Sequence, residues 1–198
     1  PCLFSCNMLY FLVLRICRVL AIVFFGLRAF GRENIPEGGA VLASNHQSYF
    51  DPALISITVN RPVYFLARQE LFDSNRFFGW FIRNLNAIPL ERRTFDSTGL
   101  RRAIEVLQNG GLLIVFPEGT RTPDGEIGEI RKGVSLLGER AGVPLVPTLV
   151  DGAYQAWPRK YKLPVQFSPI SVRFGPPLRL DKTNIETIAD AWRKLKKD

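Results

Sequence analysis

From Gly31 onward the chain alternates short apolar runs with stretches of helical character, and this alternation constrains the fold more than any other feature. Strands are predicted at residues 40–44, 63–67, 87–89, 112–116, 145–150 and 171–174, and helices at residues 52–59, 77–85, 98–108 and 133–141, with a last helix from about Asn184. Turn residues punctuate them at Pro36-Glu37-Gly38-Gly39, Asn109-Gly110-Gly111 and Pro123-Asp124-Gly125. Alternation of this kind implies an α/β fold, a mixed and mainly parallel sheet with helices on both faces. A chain of 198 residues suits one domain. No internal repeat or linker divides it, so residues 31–198 are taken as one α/β domain behind an N-terminal segment, residues 1–30.

That N-terminal segment is apolar almost throughout from Met8 to Phe30, interrupted by Arg15, Arg18 and Arg28. A spanning helix wants roughly 20 apolar residues without a break; here the longest clean stretch is residues 19–27. At about 100° per residue the three arginines fall within an arc of about 140°. One basic stripe beside a broad apolar face describes a helix lying in the headgroup plane of a membrane. A core helix of the domain, or a span completed by residues upstream of Pro1, are the other readings. A secretory signal fits poorly, because the arginines break its apolar region and no small-residue cleavage site follows. The chain begins with Pro1 rather than Met, consistent with a fragment whose natural N-terminus is missing. All three cysteines (Cys2, Cys6, Cys17) fall in this segment, so no disulfide framework and a reducing compartment are expected.

Net charge is +8 and the isoelectric point about 9.8, which favours anionic partners such as phosphorylated small molecules or acidic lipid headgroups. Nucleic acid is not expected, because the basic residues are spread out rather than gathered in one patch. The densest group, Arg193, Lys194, Lys196 and Lys197, suits the end of a solvated helix.

His46 is the only histidine, and it stands five residues before Asp51 in Asn45-His46-Gln47-Ser48-Tyr49-Phe50-Asp51, directly after a predicted strand. No other side chain has an ordinary pKa near neutrality, so general-base chemistry at pH 7 would run through it. An acid at a helix start can accept from one ring nitrogen and leave the other basic. Alone, each residue has a plainer reading: Asp51 before Pro52 is an N-cap signature, and His46 a satisfied loop histidine. There is no G-x-S-x-G elbow, so the base would act on a substrate hydroxyl directly. A second polar loop, Phe116-Pro117-Glu118-Gly119-Thr120-Arg121-Thr122, also follows a predicted strand. It offers a glycine for close approach, a hydroxyl donor and an arginine fork for phosphate, or else an ordinary turn with an internal Glu118–Arg121 pair. Ligands of such sheets gather beyond the carboxyl ends of strands, so both loops are expected at one sheet edge. One histidine, and no cysteine after position 17, argue against a metal site.

Four blocks in order carry a resemblance: Asn45-His46 with Asp51; Gly79-Trp80-Phe81-Ile82-Arg83; Phe116-Pro117-Glu118-Gly119-Thr120-Arg121; and Val143-Pro144-Leu145-Val146-Pro147. From Gly31 to about Gly175 the chain resembles the glycerolipid acyltransferases, typified by bacterial 1-acylglycerol-3-phosphate acyltransferases. Gly31-Arg32-Glu33-Asn34-Ile35-Pro36 and Arg68-Gln69-Glu70-Leu71-Phe72 add to it, although the family usually carries lysine where Arg68 stands. The resemblance implies an α/β domain behind a helical membrane-docking segment, with His46 as base and Asp51 orienting it. The acyl donor would be acyl-CoA or acyl-carrier protein, with no other cofactor and no acyl-enzyme. The acceptor would be the hydroxyl of a lysophospholipid, lysophosphatidate above all. Arg121 and Arg83 would bind its phosphate, Arg68 less surely, in a subsite shaped by Glu118, Gly119 and Thr120. The implied place is the cytoplasmic face of a membrane with anionic lipids. Rival readings are a same-fold enzyme for glycerol 3-phosphate, another lysophospholipid or an aminolipid, and a lipid-binding protein without the reaction. A phosphohydrolase is disfavoured by the lack of a metal cluster or C-x5-R loop.

Overall fold

The computed structural model describes residues 8–73, 75–90, 98–131, 133–161, 164–179 and 186–197. Its elements are α1 (Met8–Phe25), β1 (Arg28–Phe30), β2 (Ala40–Ser44), α2 (Asp51–Thr58), β3 (Val63–Arg68), α3 (Gln69–Asp73), α4 (Arg76–Asn84) and β4 (Ala87–Leu90). They continue with α5 (Thr98–Gln108), β5 (Leu112–Val115), α6 (Gly133–Ala141), β6 (Leu145–Asp151), α7 (Ala153–Ala156), β7 (Ser171–Phe174) and α8 (Glu186–Lys197). Each predicted strand and helix is present, with ends shifted by at most two residues; Asn184 itself lies outside the described residues. The strands form one seven-stranded sheet in the order β1-β7-β6-β2-β5-β3-β4. All neighbours run parallel except β6 and β7.

Strand β2 is buried along its whole length and sits between β5 and β6. A strand covered on both faces reads as a continuous apolar run, which is why Ala40-Val41-Leu42-Ala43 shows no alternation. Its side chains nonetheless divide by face. Ala40 and Leu42 join a cluster with Leu54 and Ile55 of α2 and Leu14 and Ala21 of α1. Val41 and Ala43 join the other, with Ala103 of α5, Leu137 of α6 and Trp192 of α8. Trp192 also donates from its indole nitrogen to the carbonyl of Ala43 at 3.0 Å, so the last helix is anchored to the central strand.

One expectation and one plainer reading need correction. Helix α1 stops at Phe25, because Gly26 takes the left-handed conformation (φ 53°) that ends helices. Arg28 therefore lies on β1, paired with β7, and the basic stripe of the helix is reduced to Arg15 and Arg18. Asp51 is not the N-cap of α2; that position is Phe50, with no side-chain cap, and the Asp51 carboxylate is used elsewhere.

Among the described side chains of α1, Leu14 and Ala21 are buried on the domain; Leu12, Ile16, Val19, Leu20, Ile22, Val23 and Phe24 are exposed. No helix among the described residues is long and apolar enough to cross a membrane. Replacing Trp192 by alanine should remove the plug between α8 and β2 and cost about 3–5 kcal/mol. Equilibrium denaturation of the Trp192→Ala protein checks this.

Candidate active site

Parallel pairing of β2 with β5 in the register Ala40 with Leu112 brings their carboxyl ends together. The loops that follow, residues 45–50 and 116–122, are thereby neighbours, as expected for one sheet edge. The first loop begins with a tether. Asn45 donates to the carbonyl of Val150 and accepts from its N–H, both at 2.8 Å, extending the ladder between β2 and β6 by one amide pair. Gln47 then bridges to the carbonyl of Gly125 and the N–H of Tyr154, both at 3.2 Å.

Asp51 is fully buried. One carboxylate oxygen, Oδ2, accepts from the N–H of Gln47 at 2.7 Å and of Ser48 at 2.8 Å, and contacts His46 Nδ1 at 2.8 Å. Its other oxygen is buried without a hydrogen-bond partner among the described residues. The acid thus turns back onto the preceding turn rather than forward onto its own helix. This fixes the ring: an acceptor on Nδ1 selects the tautomer that carries its proton there and leaves Nε2 with the free lone pair. The ring also stacks on Phe116, centroids 3.9 Å apart. His46 retains 19% of its side-chain exposure, so the imidazole is reachable while its carboxylate is not.

The backbone of His46 fastens the second loop. Its N–H donates to Glu118 Oε1 at 2.9 Å, and its carbonyl accepts from the N–H of Thr122 at 2.8 Å. Glu118 Oε2 takes the N–H of Gly128 at 3.0 Å. Glu118 therefore serves as a strut between loops and forms no pair with Arg121 among the described ion pairs. Burial pushes its carboxyl above the usual glutamate range, against the lowering effect of its two backbone donors. Gly119 takes the left-handed conformation (φ 69°), and a Cβ there would stand 3.0 Å from the Arg131 guanidinium. Gly119 and Thr120 are exposed beside the strut.

Arg121 lies with its guanidinium carbon 3.5 Å from the centre of the Tyr49 ring, and its Nη1 is buried without a hydrogen-bond partner among the described residues. Burial lowers its pKa; the charges of Arg159 and Arg68 lower it further, while Tyr49 and Asp51 act in the opposite sense. Arg159 also donates to the Arg121 carbonyl at 3.3 Å. Among the described residues no carboxylate pairs with any of these three arginines. Arg83, at the last turn of α4, lies over the Phe72 ring at 5.2 Å and makes no described hydrogen bond to either loop. Gly79 of the same block is a packing residue, since a Cβ would stand 2.3 Å from the Phe72 carbonyl oxygen. No group of three or more His, Cys, Asp or Glu that could hold a metal exists among the described residues.

The family model described as Acyltransferase matches residues 27–151. The chain belongs to the acyltransferase family. It is 31% identical over 180 residues to the 1-acyl-sn-glycerol-3-phosphate acyltransferase of Pseudomonas aeruginosa, covering 87% of this chain and 66% of that protein. With the Bacillus subtilis protein of the same name it shares 26% over 129 residues, 64% of this chain and 63% of the relative. The chain thus spans just under two thirds of the length of these two relatives. The crystal structure of the 1-acyl-sn-glycerophosphate (LPA) acyltransferase PlsC from Thermotoga maritima superposes with a TM-score of 0.78 at 26% identity, over 98% of this chain and 83% of that one.

Within this member of the family the structure gathers His46, Asp51, Glu118, Arg121 and Arg68, and leaves Arg83 on a neighbouring helix. Arg159 escapes a reading by motif, because it stands in none of the four blocks; charge alone marks it. Glu118 supplies a pH test. The folded state holds its proton more tightly than the unfolded chain does, so raising the pH through the elevated pKa weakens folding. That loss is absent below the ordinary glutamate range and complete above the raised value. Glu118→Gln carries no such slope but sets an amide NH2 against the Gly128 N–H, a cost of about 1–3 kcal/mol. The stability advantage of the native protein over this variant should therefore shrink as pH rises, as denaturation at several pH values would record.

Proposed function

We propose that this acyltransferase moves a fatty acyl group from acyl-CoA or acyl-carrier protein to the free hydroxyl of lysophosphatidate, in phospholipid biosynthesis. One observation carries the reading: the solitary imidazole is held by the buried Asp51 carboxylate through Nδ1 at 2.8 Å and remains accessible from solvent. The names of the relatives support the acceptor, since the Pseudomonas and Bacillus proteins and the Thermotoga structure all carry that of a 1-acylglycerol-phosphate acyltransferase.

His46 Nε2 takes the proton of the acceptor hydroxyl as its oxygen attacks the thioester carbonyl. The tetrahedral adduct collapses with cleavage of the C–S bond, and the imidazolium returns its proton to the departing thiolate. The products are phosphatidate and a free thiol. Asp51 stabilises the transient imidazolium and keeps the ring in register. The acceptor phosphate lies against Arg121, with Arg68 and Arg159 beside it. The unpaired charges and the unused Nη1 of Arg121 suit a dianion that can take several charge-assisted hydrogen bonds. Gly119 and Thr120 flank this subsite, and Arg83, proposed for the same phosphate, stands on α4. The exposed face of α1 docks the protein on an anionic membrane at its cytoplasmic face, where the lipid acceptor resides.

His46→Ala should lower the rate of thioester-dependent acylation of lysophosphatidate by about 10²–10⁴, with vesicle binding intact; undiminished turnover would exclude the base. Arg121→Ala should raise the KM for lysophosphatidate at least tenfold and spare that for the thioester. A panel of glycerol 3-phosphate, other lysophospholipids and lysophosphatidate, offered with one labelled donor, separates the acceptors. A change confined to acyl-chain preference in the Arg121→Ala protein would contradict the phosphate role.

A further inference from the structure

Between α7 and β7 the chain runs Trp157-Pro158-Arg159-Lys160-Tyr161 and, after two residues outside the description, Pro164-Val165-Gln166-Phe167-Ser168-Pro169-Ile170. No acidic residue occurs anywhere from Gly152 to Gly175. The segment is pinned at several points. Val165 N–H donates to the Ala156 carbonyl at 2.9 Å, Ser168 Oγ to the Gly152 carbonyl at 3.1 Å, and Ile170 N–H to the Phe25 carbonyl at 2.9 Å. So held, it presents Tyr161, Val165 and Phe167 outward, while Pro158 and Ile170 are buried. Phe167 is 71% exposed, more than any other large apolar residue described, and Val165 and Tyr161 are close to half exposed.

This exposure continues that of α1. Phe167 lies against Phe24 at 5.4 Å between ring centroids and Phe25 at 5.5 Å, and Phe24 is itself half exposed. Two elements more than 130 residues apart therefore share one apolar surface, with Arg159 and Lys160 exposed on the same segment. Apolar patches of this extent are rare on proteins that remain in water. An aromatic and aliphatic patch with cations and no carboxylates suits an anionic lipid surface, which takes the rings below the headgroups and the cations among the phosphates.

We propose that Tyr161 and the stretch from Pro164 to Ile170 form a second membrane contact, entering an anionic phospholipid leaflet beside the outer face of α1 through Phe167, Val165 and Tyr161. The proposal rests on the membrane docking of α1 given above. Its consequence is orientation. A lone helix in the interface leaves the domain free to roll about the helix axis, whereas a second contact off that axis removes this freedom. Trp157, in the same segment, packs on Phe50 at 4.7 Å and Tyr49 at 5.5 Å, and Tyr49 lies under Arg121. The contact thereby sets how the arginine subsite faces the leaflet.

The test uses the full chain and vesicles of phosphatidylglycerol and phosphatidylcholine in flotation. Phe167→Ser should lower the vesicle partition coefficient about tenfold with an unchanged melting temperature, since so exposed a ring adds little to folding. Phe167→Trp should show indole fluorescence quenched by bromine-labelled acyl chains. Partitioning equal to the native protein, or an unquenched Trp at this position, would overturn the proposal. So would a concentration-dependent dimer without vesicles that Phe167→Ser dissolves, because the face would then belong to a second copy. A Val19→Ser, Val23→Ser variant reports separately on α1. Native-like binding by that variant, with loss in Phe167→Ser, removes the helix from the docking surface and leaves the second contact standing.

Discussion

A single carboxylate oxygen organises this end of the sheet. Asp51 Oδ2 receives two backbone N–H groups and faces the imidazole, all within 2.8 Å, in a position with no solvent exposure. A buried charge is tolerated only when such donors replace its lost hydration. Here the first turn of α2 adds its positive end. The geometry is self-consistent: the donors that make the charge bearable are those that bend the chain into the turn on which His46 sits. Without the acid, two N–H groups would be buried unpaired and the ring would lose its orientation together. The same loop then reaches the neighbouring strand's loop through Glu118 and Thr122. Two segments some 70 residues apart in sequence thus behave as one rigid unit.

Against that rigidity stands a local excess of positive charge. The charges of Arg159 and Arg68 disfavour the protonated form of Arg121, whose pKa burial already lowers, with no carboxylate among the described ion pairs to relieve it. Tyr49 offers Arg121 a ring face, a weaker partner than a carboxylate. Like charges held together in a folded state raise its energy, and the anionic acceptor proposed above would offset that cost.

The sequence discloses the centre of this structure better than its rim. β2, β5 and β6 are legible because strands covered on both faces must be apolar throughout, and glycine turns bound them sharply. β1 is hidden, since three residues at the end of a long apolar segment carry no period of their own and only Gly26 marks the break. Asp51 shows the limit of local rules: its place before Pro52 matches a helix cap, yet two backbone N–H groups and the imidazole behind it take the oxygen instead. Glu118 looks like half of a surface ion pair until the neighbouring strand brings His46 N–H into reach. Arg159 and the α7–β7 segment depend on tertiary placement alone, and no spacing in the chain announces them.

The lysophosphatidate acceptor proposed above sets a geometric problem that bears on these features together. Its reacting hydroxyl lies within a few bonds of a phosphate that stays hydrated, while its tail stays in hydrocarbon. His46, as the proposed base, would then work at the boundary between the two phases. In this fold a chain of rings links the two sides: Phe24 to Phe167, Phe167 to Phe25, Phe25 to Phe50, Phe50 to Trp157, and Trp157 to Tyr49 beneath Arg121. Phe25, Phe50 and Trp157 are half-buried, so packing sets the spacing between the apolar face and Arg121. Under the docking proposed above, a leaflet that holds the exposed rings sets the height of the arginine and of the imidazole on the adjoining turn.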